Sequence, residues 1–216
     1  NVYQCLEDYD IPLFLRHTVT QIHGSSRLTG VTVAEVDSAR CPVAGTEEEI
    51  ACDTLILSVG LIPENELSLG AGIALDGRTQ GAVVDESLQT GVPGIFAAGN
   101  VLHVHDLVDF VSLEAERLAA AAAGFVRGDA LPVCRLSVRA GQGARAVVPQ
   151  RVSGTQDVLL SLRVAEPRQN GRIVVRQAGR EVAARAFRRA VPAEMQQLVL
   201  PASSLACTGD LEVTVE

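Results

Sequence analysis

The chain has 216 residues, 47% of them hydrophobic but only 3% aromatic and without Trp, so any core is built from Val, Leu, Ile and Ala. All 18 basic residues are Arg, which removes lysine Schiff-base chemistry and the lysine-bearing phosphate loop from consideration. Charge steps sharply along the chain: 6 Arg face 19 acidic residues through Leu131 (net −13), and 12 Arg face 7 from Pro132 onward (net +5). Such a step predicts two units, 1–131 and 132–216, joined by Gly128-Asp129-Ala130-Leu131-Pro132, a helix stop followed by a linker proline. With so few aromatics to stack on bases, the Arg excess reads as a soluble or partner-facing surface, not a nucleic-acid site. No run approaches the roughly 18 apolar residues of a membrane span and no signal-like segment opens the chain, so a cytoplasmic setting is expected. Asn1 opens straight into patterned sequence, which reads as a fragment or processed product. The five cysteines are widely spaced, with no C-x-x-C, and read as incidental thiols rather than a redox dithiol.

In chain order, Ile11 to Leu15 reads as a short buried strand. His17 to His23 alternates, Gly24-Ser25-Ser26 turns, and Leu28 to Val36 alternates again, which predicts a β-meander. The Asp37 to Glu49 loop ends in three glutamates that read as solvated. Cys52 to Gly60 is continuously apolar, the pattern of a parallel strand covered on both faces, and stops at Gly60-Leu61-Ile62-Pro63-Glu64-Asn65. Glu66 to Ala71 suits one helical turn, and Asp76-Gly77-Arg78 carries a hairpin signal between Ile73-Ala74-Leu75 and Ala82-Val83-Val84. Thr90 to Asn100 then reads T-G-V-P-G-I-F-A-A-G-N: a turn, a short apolar strand, and a Gly-Asn end aimed at an alanine-rich helix from about Leu107 to Arg127.

That order of elements resembles the second half of the FAD-dependent pyridine nucleotide–disulfide oxidoreductase family. Within it, the chain is similar to NAD(P)/FAD-dependent oxidoreductases that carry G-N-V-L-H-V-H-D-L-V-D and operate beside dehydrogenase partners. The resemblance covers Asn1 to about Arg127. It implies that Asn1 to about Glu49 ends an NAD(P)-binding insert. Leu55 to Asn65 would cross back to the FAD domain, and Val83 to Arg127 would form that domain's last strand and helix. The implied fold is mixed α+β: the C-terminal remnant of a two-dinucleotide-domain flavoprotein, with FAD as cofactor and NAD or NADP as co-substrate. It also implies hydride transfer from NAD(P)H to flavin and onward to a redox partner subunit or small substrate, in a protein that can also be a homo-oligomer. The isolated fragment would be inactive.

On this reading Gly99, Asn100, Val101, Asp106 and Leu107 are the cofactor-facing residues. Gly99 lets the backbone approach, Asn100 offers a donor and an acceptor to ribityl hydroxyls, and the helix N-terminus supplies a positive dipole. The wider family usually has Asp where this chain has Asn100, which keeps a hydroxyl contact but removes a charge. His103 and His105 are the weak catalytic candidates. His103-Val104-His105-Asp106 also suggests a metal, but spacing places no third ligand, so no metal site is assigned; Asp106 and Asp109 read as cap and dipole partners. Gly70 to Leu75 and Gly141 to Ala146 begin like dinucleotide fingerprints, yet each lacks the third glycine and its strand–helix setting.

Beyond Pro132, seven short β-like runs separated by turn signals predict a small antiparallel sandwich of immunoglobulin-like type. The runs Val158 to Val164 and Val182 to Arg188 place Arg at alternate positions, which reads as a solvated sheet face. A second functional reading, a non-catalytic interaction module acting through this Arg-rich surface, stands beside the flavoenzyme reading. Substrate, nicotinamide preference and electron acceptor are not encoded here.

Overall fold

The structure is a computed structural model that describes residues 2–216. The chain divides into two compact units, Asn1–Gly60 and Leu61–Glu216; the charge step at Leu131 falls inside the second.

In the first unit, helix α1 (Val2–Asp8) precedes three antiparallel strands, β1 (His17–His23), β2 (Gly30–Glu35) and β3 (Glu48–Ala51), in the order β1-β2-β3. The predicted meander is present, with Val19 opposite Val33 and Ile22 opposite Val31. Its turn demands glycine: Gly24 has φ +108°, and a Cβ there would lie 2.0 Å from the Arg27 carbonyl oxygen. Two of the three loop glutamates, Glu48 and Glu49, belong instead to β3, whose side chains remain exposed.

Two apolar runs depart from expectation. Ile11 to Leu15 forms no strand, and Phe14 and Leu15 are 60% and 65% exposed. Residues 53–60 enter no ladder either, and Ile56 and Val59 are each 86% exposed. Apolar composition signals burial, but a strand also needs a neighbour for its amides and carbonyls. Among the described residues, neither run has one.

The second unit begins with α2 (Glu66–Gly70), where one helical turn was expected. The Asp76 turn forms, its Oδ1 accepting from the Arg78 and Thr79 amides at 2.9 and 2.7 Å, but the flanking segments pair only at the Leu75–Ala82 bridge. Ile95 to Ala98 likewise pairs at single points, including Gln89–Phe96, and does not form an extended strand. Ile73, Ala82, Val84, Leu88, Ala97, Leu102 and Val148 bury one another here. Helix α3 (Val108–Arg127) follows and stops at Gly128, left-handed at φ 87°, where the sequence placed its end.

Eight strands complete the chain: β4 (Leu136–Ala140), β5 (Ala144–Val148), β6 (Arg151–Val152), β7 (Val158–Val164), β8 (Arg168–Gln177), β9 (Arg180–Ala190), β10 (Gln196–Leu200) and β11 (Leu211–Val215). They form a three-stranded sheet, β10-β7-β5, and a five-stranded sheet, β6-β4-β11-β8-β9, antiparallel except where β11 runs parallel to β4. Leu160, Leu162 and Leu200 of the smaller sheet share a core with Ile173, Val175, Leu211 and Val213 of the larger. The two-residue β6 was too short to carry a pattern.

Truncating Leu160, fully buried in this core, to Ala is expected to cost roughly 2–5 kcal/mol in urea unfolding. Val199→Ala on the same sheet, at a position 54% exposed, is expected to stay within about 0.5 kcal/mol.

Candidate functional site

The Gly-Asn end of the T-x-V-P-G-I-F-A-A-G-N stretch forms a 3-10 turn, Gly99–Val101. Gly99 has φ +73°, and an added Cβ would sit 3.3 Å from Cγ1 of Val111 on α3, so both conformation and space favour glycine. The Gly99 carbonyl accepts from the Leu102 and His103 amides at 2.9 and 3.1 Å, which closes the turn. Buried Asn65, last residue of the G-x-x-P-E-N run, fixes it from below. Its Nδ2 donates to the carbonyls of Val101 (2.9 Å) and Gln80 (3.0 Å), and its Oδ1 accepts from the Ser68 hydroxyl.

The turn is held from the other side by a residue the sequence reading did not single out. Glu114 on α3 is 2% exposed, and its Oε2 accepts the Gly99 amide at 2.7 Å. Its Oε1 accepts from Nε2 of buried His103 at 2.8 Å, while Nε2 of His105 lies 3.6 Å from Oε2, beyond hydrogen-bond reach. The two imidazoles lie against each other with ring centroids 4.3 Å apart. Glu114 occupies the inward stripe of α3 with Val111 and Leu118. A charge on an apolar stripe was the signal that could have found it.

Burial alone would raise the Glu114 pKa, but the His103 hydrogen bond, the proximity of His105 and the Gly99 amide outweigh it and bring the carboxyl down to about 2. The carboxyl is therefore ionised at neutral pH. The third group that spacing failed to place beside the histidines is present: one ligand-capable atom from each of His103, His105 and Glu114 lies within 4.8 Å of the others. The Arg117 guanidinium, 3.9 Å from Oε1, already brings positive charge to that carboxylate. His105 Nδ1 is buried and has no partner among the described residues.

The remaining predicted residues divide. Asn100 is exposed; its Oδ1 accepts the His105 amide at 3.1 Å, and its Nδ2 has no partner among the described residues. Leu107 is the N-cap of α3 and provides no side-chain cap: the Phe110 amide donates to the Leu107 carbonyl at 3.2 Å, the Val108 and Asp109 amides have no side-chain acceptor among the described residues, and Leu107 and Val108 are 54% and 75% exposed. Asp106 is not the helix cap expected from sequence. Its carboxylate accepts from Arg163 Nη2 (3.2 Å) on β7 and from the Met195 amide (3.2 Å). Arg163 also donates to the Val104 and Pro192 carbonyls, so this arginine of the predicted solvated face is largely covered and pins the 104–106 loop. All five cysteines are free thiols.

Residues 2–123 match the family model for pyridine nucleotide-disulphide oxidoreductases. Among curated proteins, a probable ferredoxin reductase of Castellaniella defragrans is 38% identical over 82 residues, 36% of this chain and 19% of the relative. A thioredoxin reductase of Listeria monocytogenes is 34% identical over 99 residues, 45% of this chain and 28% of the relative. The chain thus spans well under a third of either protein. A solved thioredoxin reductase of T. acidophilum aligns with TM-score 0.47 and 29% identity, over 59% of this chain and 40% of that one.

Two outcomes follow from the titrating groups. Glu114 has a folded-state pKa below its ordinary 4.5, so its stabilisation is complete above about pH 4.5 and is lost as pH falls toward 2. In denaturant titrations the stability gap between wild type and Glu114→Gln is therefore widest near neutrality and closes across that window. Burial, with help from the Glu86 and Asp85 carboxylates, pushes the Cys134 thiol up to about 12. At pH 8, mass spectrometry after iodoacetamide treatment should find exposed Cys41 and Cys207 modified well before Cys134.

Proposed function

We propose, for a chain that belongs to the pyridine nucleotide-disulphide oxidoreductase family, that it supplies the ribityl- and pyrimidine-facing part of a FAD site in an NAD(P)H oxidoreductase. Proteins of this family use FAD and NAD(P)H. The donor set fits such a group. Gly99 keeps the backbone low where a Cβ would crowd Val111, and Asn100 projects an unpaired Nδ2 beside it. Leu107 leaves the first amides of α3 without a side-chain acceptor. Asn100 would bind a ribityl hydroxyl, and the uncapped amides, with the partial positive charge of the helix end, would bind a flavin carbonyl and favour negative charge there. Val101 would act through its backbone, which Asn65 already fixes. The Asp106 carboxylate, occupied by Arg163 and Met195, would orient the loop and not touch the cofactor.

When bound, FAD would accept hydride from NAD(P)H and pass electrons to an acceptor. This chain's residues contribute binding, orientation and field. His103 and His105, turned onto Glu114, hold the turn and do not act as acid or base toward a substrate. We read the acceptor as a partner redox protein or small molecule, the setting as cytoplasmic, and residues 132–216 as an immunoglobulin-like sandwich that buttresses the flavin-facing loop through Arg163. The observation that carries the reading is the positive-φ Gly99 turn presenting Asn100 ahead of an uncapped helix.

Reconstitution of the full-length protein with FAD is expected to give a stoichiometric flavin absorbance spectrum. Asn100→Ala should weaken FAD binding roughly 2- to 10-fold, the effect of one lost hydrogen bond. Full-length protein that folds but acquires no flavin spectrum contradicts the proposal.

A further inference from the structure

We propose that Glu114 is a positioning residue of this site: its buried carboxylate sets where Asn100 stands relative to the N-terminus of α3. The inference rests on the flavin reading above. Its geometry lies in four contacts. Glu114 Oε2 takes the Gly99 amide at 2.7 Å, and Oε1 takes His103 Nε2 at 2.8 Å. His103 lies against His105, whose backbone amide donates to Asn100 Oδ1 at 3.1 Å. One carboxylate therefore grips the turn just before Asn100, and through the histidines it also grips the segment that orients the Asn100 side chain.

The orientation has chemical content. With the His105 amide on Oδ1, the Asn100 amide group points its NH2 outward and meets a ligand as a donor. Glu114 also sits on the helix whose first amides form the other half of the donor set. It lies six residues beyond Val108, about 9 Å along the axis at 1.5 Å per residue. Moving the carboxylate would thus change the spacing between the two donor groups even if each remained intact.

Packing alone gives no reason for an acid here. A carboxylate that is 2% exposed loses its hydration, and an apolar side chain of the same size would fill the space without that penalty. The ion is tolerable because the Gly99 amide, His103 and the Arg117 guanidinium surround it, and the Gly99 contact is at the short end for an N–H···O bond. A side-chain acceptor for the Gly99 amide is what the turn uses.

The test compares the FAD-loaded full-length protein with Glu114→Ala, Glu114→Gln and, as a control on the exposed side of α3, Glu116→Ala. Read by fluorescence titration, Glu114→Ala should raise the Kd for FAD about 10-fold or more, as expected for losing a hydrogen bond to a charged group. It should also shift the flavin visible band, because the pyrimidine end sits differently in the field. Glu114→Gln keeps a carbonyl acceptor for the Gly99 amide and should recover most of the affinity and the band position, while Glu116→Ala should leave both unchanged. If Glu114→Ala does not fold, His103→Ala carries the same prediction through the band shift. Unchanged affinity and spectrum in Glu114→Ala, with wild type binding FAD, overturns the positioning role alone. A wild type that binds no FAD overturns the flavin reading itself. A stoichiometric divalent metal found by elemental analysis in wild type and missing from Glu114→Ala also overturns the proposal, in favour of a metal centre.

Discussion

The arrangement around the Gly99–Val101 turn depends on keeping a charged carboxylate inside the protein. Glu114 has lost nearly all its water, and the groups that replace it are the Gly99 amide and the imidazole of His103, with Arg117 nearby. Each replacement fixes a piece of chain. The amide fixes the turn, the imidazole fixes the loop that follows, and the helix bearing Glu114 is fixed against both. An apolar residue at this position would leave the Gly99 amide without its partner in a closed space, a deficit as serious as the desolvation it removes.

The two C-terminal sheets are part of this arrangement. Arg163 reaches from β7 to the Val104 carbonyl and the Asp106 carboxylate, and Gln150 Oε1 accepts from the Val84 amide at 3.0 Å. Glu86 accepts from both the amide and the hydroxyl of Ser153. Val148 at the end of β5 enters the small core that carries Ala97 and Leu102. The loop between the Gly-Asn turn and α3 is therefore braced on one side by its own helix and on the other by a β framework. This explains how an Arg-rich strand can matter to a site without contributing a residue to it.

Local pattern was legible where a segment finds its partners nearby. The limits of β7 and the Gly128 stop of α3 agree with what the β-like run and the end signals indicated. Ile11 to Leu15 and Cys52 to Gly60 show the opposite case, because their apolar character says they should be covered and nothing among the described residues covers them. The site was half legible. Gly99 and Asn100 stand out from their chemistry and order, and His103 and His105 from their spacing. Glu114 did not, since its partners lie 11 and 15 residues away and meet it only when α3 folds back over the turn. Asp106 misled for a related reason: a carboxylate just before a helix resembles a cap, but Arg163 is a stronger partner than the helix amides.

Hydrogen exchange of the full-length protein, measured with and without FAD, tests the placement of the flavin most directly. Slower exchange with FAD at residues 99–101 and 107–109, with little change in the strands between residues 136 and 215, is the predicted result. Unchanged exchange at both of those segments in protein that has taken up FAD would contradict it and place the cofactor elsewhere.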